Sequence, residues 1–140
     1  MLRYALPLAT IVAVAVAGCT TQTTSNDSSG KFRGDERLVA NTIEDFESAA
    51  SKGDQDQICR ELLAKPLVAT YVRRGGTCEK AVDGVLKDSD SFGLTVESVR
   101  IAGAQATARV KADRGDKDVI QSLTLVKEGP GWRISQFGSG

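Results

Sequence analysis

The chain has 140 residues, enough for one folded domain, and it carries 18 basic and 18 acidic residues. Such a neutral balance gives no electrostatic basis for capturing nucleic acid, so we predict no nucleic-acid partner. The absence of histidine removes the commonest general acid or base and a frequent metal ligand. We therefore predict neither a metal site nor a cofactor.

Residues 1–18 have the layout of an export signal. Arg3 supplies a positive charge, and the run 5–17 is almost wholly apolar or small, yet shorter than the roughly 20 residues of a membrane-spanning helix. The run ends in the letters VAGC, which resemble the bacterial lipobox, with the cysteine at position 19. The resemblance implies cleavage before Cys19, a diacylglycerol on its thiol, and a lipid anchor on the extracytoplasmic face of the cell membrane. An ordinary secretory signal with an incidental cysteine, and an uncleaved anchor, are the alternatives.

A polar segment follows the predicted lipid site. Residues 19–34 are rich in threonine, serine and glycine and contain one aromatic side chain. Such a composition does not bury enough apolar surface to offset the entropy lost on ordering. We predict a flexible tether over 19–34 and a folded domain over 35–140.

The first half of the predicted domain has helical periodicity. Apolar residues recur every three or four positions between Asp35, a candidate N-cap, and Gly53, a candidate stop. A second helix is predicted after Asp54, a third around Pro66 and a fourth after Thr77. The sequence therefore predicts four helices before the first strand.

Two cysteines remain in the domain, Cys59 and Cys78. In an exported protein an even pair predicts a disulfide, which here would join the second helix to the start of the fourth. A pair of free or metal-binding thiols is the alternative, although a zinc site would lack further cysteine or histidine ligands.

The second half of the domain has the period of strands. The stretches LTVESVRI, AQATARVKAD, DVIQSLTLVKE and WRISQF alternate between apolar and polar residues, with an irregularity near Glu97. Short turns between them imply antiparallel neighbours, and an apolar sheet face needs helices to cover it. We predict an α+β fold, with N-terminal helices packed on a curved four-stranded antiparallel sheet.

The stretches FESAASKGD, ICREL, CEKAV and LVKEGPGWRI, in this order, resemble small exported members of the nuclear transport factor 2-like superfamily, which have a cystatin-like cone fold. The best marks are Gly53-Asp54 at the end of the first helix and the closing GWRI, and the resemblance covers residues 36–137. The short strand that usually follows the first helix in that superfamily is not evident here, which implies a shallower cone.

The resemblance implies a pocket between the helices and the concave face of the sheet. We expect that face to be apolar and name Phe46, Tyr71, Leu123 and Trp132 as candidate pocket-lining residues, although Tyr71 and Trp132 also suit ordinary core packing. No carboxylate falls on the positions predicted to face inward: Ala106, Ala108, Val110, Leu123, Leu125, Trp132 and Ile134.

These observations favour a membrane-anchored binding or interaction domain without catalytic activity. Its partner would be a small apolar ligand or an unknown protein, and a homodimer is compatible with the fold. The alternatives are an isomerase-like enzyme of the same fold and a structural envelope protein that acts by dimerisation. An aspartate or glutamate buried in a cavity would favour the enzyme.

Overall fold

The computed structural model of the chain describes residues 29–88 and 93–138. The predicted signal peptide 1–18 and Cys19 lie outside the described residues. Within these two ranges, no helix combines the length and the apolar character that a membrane span requires.

The first helix, α1, spans Gly34–Lys52. It ends at Gly53, whose positive φ of 68° belongs to the left-handed region that glycine adopts without strain. The prediction of Asp35 as N-cap is wrong. The N-cap is Arg33, without a side-chain hydrogen bond, and Asp35 lies in the first turn, where a negative charge complements the helix dipole.

Three further helices follow α1. The Asp54 carboxylate accepts a hydrogen bond from the backbone N–H of Gln57 at 3.0 Å and so caps the next helix. Thr77 caps the last helix in the same way, through its hydroxyl and the N–H of Lys80. The helices are α2 (Gln55–Gln57), which continues into a π-helical turn (Ile58–Leu62), α3 (Lys65–Arg73) with Pro66 in its first turn, and α4 (Cys78–Lys87).

Four antiparallel strands form one sheet in the order β1-β2-β3-β4. The pairing of β1 with β2 shifts by one residue between Val96 and Ser98, which confirms the irregularity predicted near Glu97. The strands are β1 (Leu94–Ala102), β2 (Gln105–Arg114), β3 (Lys117–Glu128) and β4 (Gly131–Phe137).

The core lies between α1 and one face of this sheet. Val39 and Ile43 of α1 are fully buried, as are Val110, Leu125 and Ile134 on the sheet face opposite them. Ala106 and Ala108, also buried, have small side chains that let α1 approach this face closely, so α1 packs directly on β1, β2 and β4. The predicted α+β fold, helices on a curved four-stranded antiparallel sheet, is confirmed.

The last residues of the predicted tether belong to the folded unit. Ser29–Lys31 form a 3₁₀ turn, and the Ser29 N–H donates a hydrogen bond to the Glu44 carboxylate at 2.8 Å. Phe32 is 8% exposed and packs in the core. Burial of this aromatic side chain offsets the entropy of ordering the polar residues around it, so residues 29–34 are not a flexible tether.

The edge strand β4 meets the segment between α2 and α3 at Ile134. Leu63 forms a single parallel bridge with Ile134, and the Ala64 N–H donates to the Ile134 carbonyl at 2.8 Å. The described residues between α1 and α3 form no strand, so this bridge is an isolated one.

The disulfide between Cys59 and Cys78 is confirmed, with Cα atoms 6.1 Å apart. Both cysteines are buried. The bond ties the π-helical turn to the first residue of α4 and so fixes the position of that helix.

We predict that the Cys59→Ala/Cys78→Ala double variant unfolds more easily than the parent chain. A cross-link between residues 19 apart stabilises by about 3 kcal/mol, because it restricts the unfolded chain. Urea unfolding measures the change, and Cys19→Ala is the control that should leave the midpoint where it is. An unchanged midpoint for the double variant would show that α4 does not depend on the bond.

Candidate functional site

A cavity of about 540 Å³ lies between the helices and one end of the concave sheet face. It exists because the helices do not all reach the sheet. Helix α1 packs directly on the strands, whereas the main neighbours of α4 are α2, α3 and the π-helical turn. The space below α4 is therefore left open.

The sheet forms one wall of this cavity. Leu94, Ala112 and Leu123 contribute apolar surface from β1, β2 and β3. Ala112 is small and cannot reach the helices across the gap. Phe137 of β4 and Phe46 of α1 close one side, with ring centroids 5.4 Å apart in a tilted arrangement that aromatic pairs favour.

The helices form the opposite wall. Val82, Val85 and Leu86 line the cavity from α4, because spacings of three and four residues place them on one helix face. Tyr71 reaches it from α3 and Ile58 from the π-helical turn. Val85 is 61% exposed, so the apolar wall continues to the rim.

Charged groups occur at one end of the cavity. Asp88 follows α4, and Asp113 and Arg114 lie at the end of β2; all three line the cavity and are exposed to solvent. No carboxylate among the described lining residues is buried.

Three of the four predicted lining residues, Phe46, Tyr71 and Leu123, lie in the cavity wall. The fourth, Trp132, does not. It is 3% exposed and lies beside the turn between β3 and β4, where its ring faces the Lys127 ammonium 5.7 Å away. The cavity opens at the other end of the concave face, which is why Trp132 belongs to the core.

Sequence reasoning missed Gln121, which lines the cavity from β3. Its register partner is Val110, which is fully buried on the concave face. The signal was present, because Gln121 lies two residues before Leu123 and side chains two apart share a face of a strand.

Glu47 of α1 lies next to the cavity wall, because it pairs with the backbone of Leu94, a lining residue. Burial raises the pKa of Glu47, against the opposing effect of the hydrogen bond from the Leu94 N–H, and the nearby Glu44 raises the pKa further. Burial also raises the pKa of Asp45, with smaller contributions from Glu44 and Glu61. In the described part of the chain, no group of three or more acidic or cysteine side chains could hold a metal ion.

Solved structures share this architecture. A SEC-C motif containing protein from Rhodopseudomonas palustris matches with a TM-score of 0.55, at 17% identity, over 82% of this chain and 91% of its own. A de novo designed NTF2 fold protein, NT-9, matches with a TM-score of 0.50, at 10% identity, over 75% of this chain and 87% of its own. This chain has the nuclear transport factor 2-like fold.

The nuclear transport factor 2-like fold commonly forms a binding pocket. The likeness, at identities this low, shows the fold alone. No protein-family model and no curated protein matches the sequence significantly.

We predict that Glu47→Gln slightly stabilises the chain at neutral pH. Because the pKa of Glu47 is raised on folding, its ionised form opposes folding, and stability rises as the pH falls through the folded-state pKa. Glutamine keeps an acceptor for the Leu94 N–H and carries no charge.

Urea unfolding between pH 4 and pH 8 should show a gain for Glu47→Gln of about 0.5 kcal/mol or less, largest at pH 8 and absent near pH 4. Glu79→Gln, on the exposed side of α4, is the control and should show no gain. A loss of stability for Glu47→Gln at pH 8 would contradict the sign.

Proposed function

We propose that this chain is a binding domain for a small, mostly apolar ligand, which occupies the cavity below α4. The observation that supports this function most strongly is the cavity itself, which has a volume of about 540 Å³ and mostly apolar walls. This volume falls within the usual range for small-molecule sites, roughly 300–1,000 Å³. The walls are dominated by aliphatic and aromatic side chains.

The driving force for binding is the removal of apolar surface from water. Each 100 Å² of apolar ligand surface buried contributes about 2.5 kcal/mol, before the loss of ligand freedom is subtracted. A wall formed by Leu94, Leu123 and Phe46 offers no competing polar partner over most of its area. We propose that affinity comes mainly from shape and apolar contact.

We propose a role without catalysis. The chain has no histidine, and the carboxylates among the described lining residues, Asp88 and Asp113, are exposed. A carboxylate that acts as a general base is typically held in a site shielded from water, and neither of these two carboxylates is shielded. These features favour binding over an isomerase-like reaction.

We also propose that the domain is displayed on the extracytoplasmic face of the cell membrane by a lipid on Cys19. The VAGC letters at 16–19 support the anchor. The disulfide between Cys59 and Cys78 independently supports an oxidising compartment, because such bonds are rare in the cytosol. Residues 20–28 would connect the anchor to the folded domain.

The cavity proposal predicts that Ala112→Phe blocks binding of an apolar probe. A phenyl group at this position would extend into the cavity from the β2 wall and occupy the space of the ligand. The fluorescence of N-phenyl-1-naphthylamine, which rises in apolar surroundings, measures binding. We expect at least a tenfold loss of affinity, which corresponds to about 1.4 kcal/mol.

The matched control is Ala102→Phe, which adds the same group at an exposed position at the end of β1. It should bind the probe as the parent chain does, and circular dichroism should show both variants folded. Equal probe binding by folded Ala112→Phe would place the probe elsewhere and refute the cavity as its site.

The anchor proposal predicts that a bacterial host fed with alkyne-tagged palmitate labels the chain and retains it in the membrane fraction. Cys19→Ser should abolish the label, because it removes the thiol that would be acylated. The Cys59→Ala/Cys78→Ala variant should keep the label. Labelling that persists in Cys19→Ser would rule out Cys19 as the lipid site.

A further inference from the structure

One polar side chain interrupts the apolar sheet wall of the cavity. Gln121 lies on β3 at a position whose register partner, Val110, is fully buried, and its neighbour on the same face, Leu123, is 2% exposed. An aliphatic residue would continue this wall. The amide group instead faces the space that a ligand would occupy.

No hydrogen bond joins the Gln121 side chain to another residue of the described chain, and its amide atoms remain accessible to water. A glutamine amide offers two N–H donors and one carbonyl acceptor. Water reaches these groups, and a ligand that displaces the water loses affinity unless it replaces the hydrogen bonds. A ligand that places a complementary group next to Gln121 would replace them.

The charges around the cavity restrict what this complementary group can be. Asp88, Asp113 and Arg114 lie at the solvent-exposed end of the cavity, and the remaining described lining residues are uncharged. An ionised group beside Gln121 would lose its hydration against uncharged side chains. Arg114, the cation among the described lining residues, lies at the exposed end of the cavity. A neutral carbonyl or hydroxyl group loses far less.

We propose that Gln121 is a specificity-determining residue, which selects apolar ligands that carry a neutral hydrogen-bonding group, a carbonyl or a hydroxyl. This inference rests on the proposed function of the cavity. It assigns the ligand class to an apolar body with one uncharged polar group.

Three probes of one shape test the inference by displacing N-phenyl-1-naphthylamine from the full-length Cys19→Ser chain. They are 2-acetylnaphthalene, 2-isopropenylnaphthalene, in which the carbonyl oxygen is replaced by a methylene group, and 2-naphthoate, which is ionised at pH 7.5. We expect the ketone to bind about tenfold more tightly than the other two, because only the ketone replaces the hydrogen bond of the displaced water without losing the hydration of a charge.

Gln121→Met removes the amide and keeps the length of the side chain, and it should bring the ketone and the isopropenyl compound to equal affinity. Gln105→Met, on an exposed position of β2, is the matched control and should keep the preference. Tyr71→Phe removes the other neutral polar side chain of the wall and should also keep it.

Each outcome separates the inference from the function on which it depends. If N-phenyl-1-naphthylamine binds the parent chain but the ketone and isopropenyl compounds compete equally, or neither competes, the role of Gln121 is refuted and the cavity stands. A preference that survives Gln121→Met, or that Tyr71→Phe abolishes, refutes it as well. If the fluorescent probe itself does not bind, the proposed function fails and the inference fails with it.

Discussion

The disulfide between Cys59 and Cys78 holds the start of α4 against the π-helical turn and so within the helical layer. The other long helix, α1, packs directly on the sheet because Ala106 and Ala108 place only small side chains on the concave face. One helix therefore lies on the strands and another is held at a distance from them. The cavity is a consequence of this difference between the distances of the two helices from the sheet.

The chemical character of the cavity follows from the two layers that face each other across it. Residues of α4 spaced by three and four positions and alternate residues of β2 and β3 present aliphatic side chains, because these faces would otherwise be core. Among the described lining residues, charges occur only where α4 and β2 end and water is accessible. The cavity is therefore apolar within and charged at one end, and Gln121 is the exception on the sheet wall.

The sequence predicted the parts of the structure that depend on local pattern. Some features depend on residues close together in the chain: helical spacing, strand alternation and the caps at Asp54 and Thr77. The disulfide was predictable because the domain contains only two cysteines to pair. Phe32 was misplaced because a lone aromatic residue in a polar segment has no periodicity, and its core partners lie far along the chain.

The candidate site was predictable only in part, for a similar reason. Alternation places Leu123 and Trp132 on the same concave face, but local pattern does not show which end of that face stays uncovered. That depends on where α4 sits, which is a matter of long-range packing and of the disulfide. Gln121 was predictable from β3 itself. Leu123 was assigned to the concave face, and Gln121 lies two residues before it, so alternation places Gln121 on the same face.

The central claim, that the cavity below α4 binds an apolar ligand, is tested most directly by NMR with methyl-labelled protein and N-phenyl-1-naphthylamine. We predict intermolecular nuclear Overhauser effects from the probe to the methyl groups of Val82, Leu86 and Leu123, with none to Ile134 in the core. Contacts that map only to other surfaces, or no contacts at saturating probe, would contradict the claim.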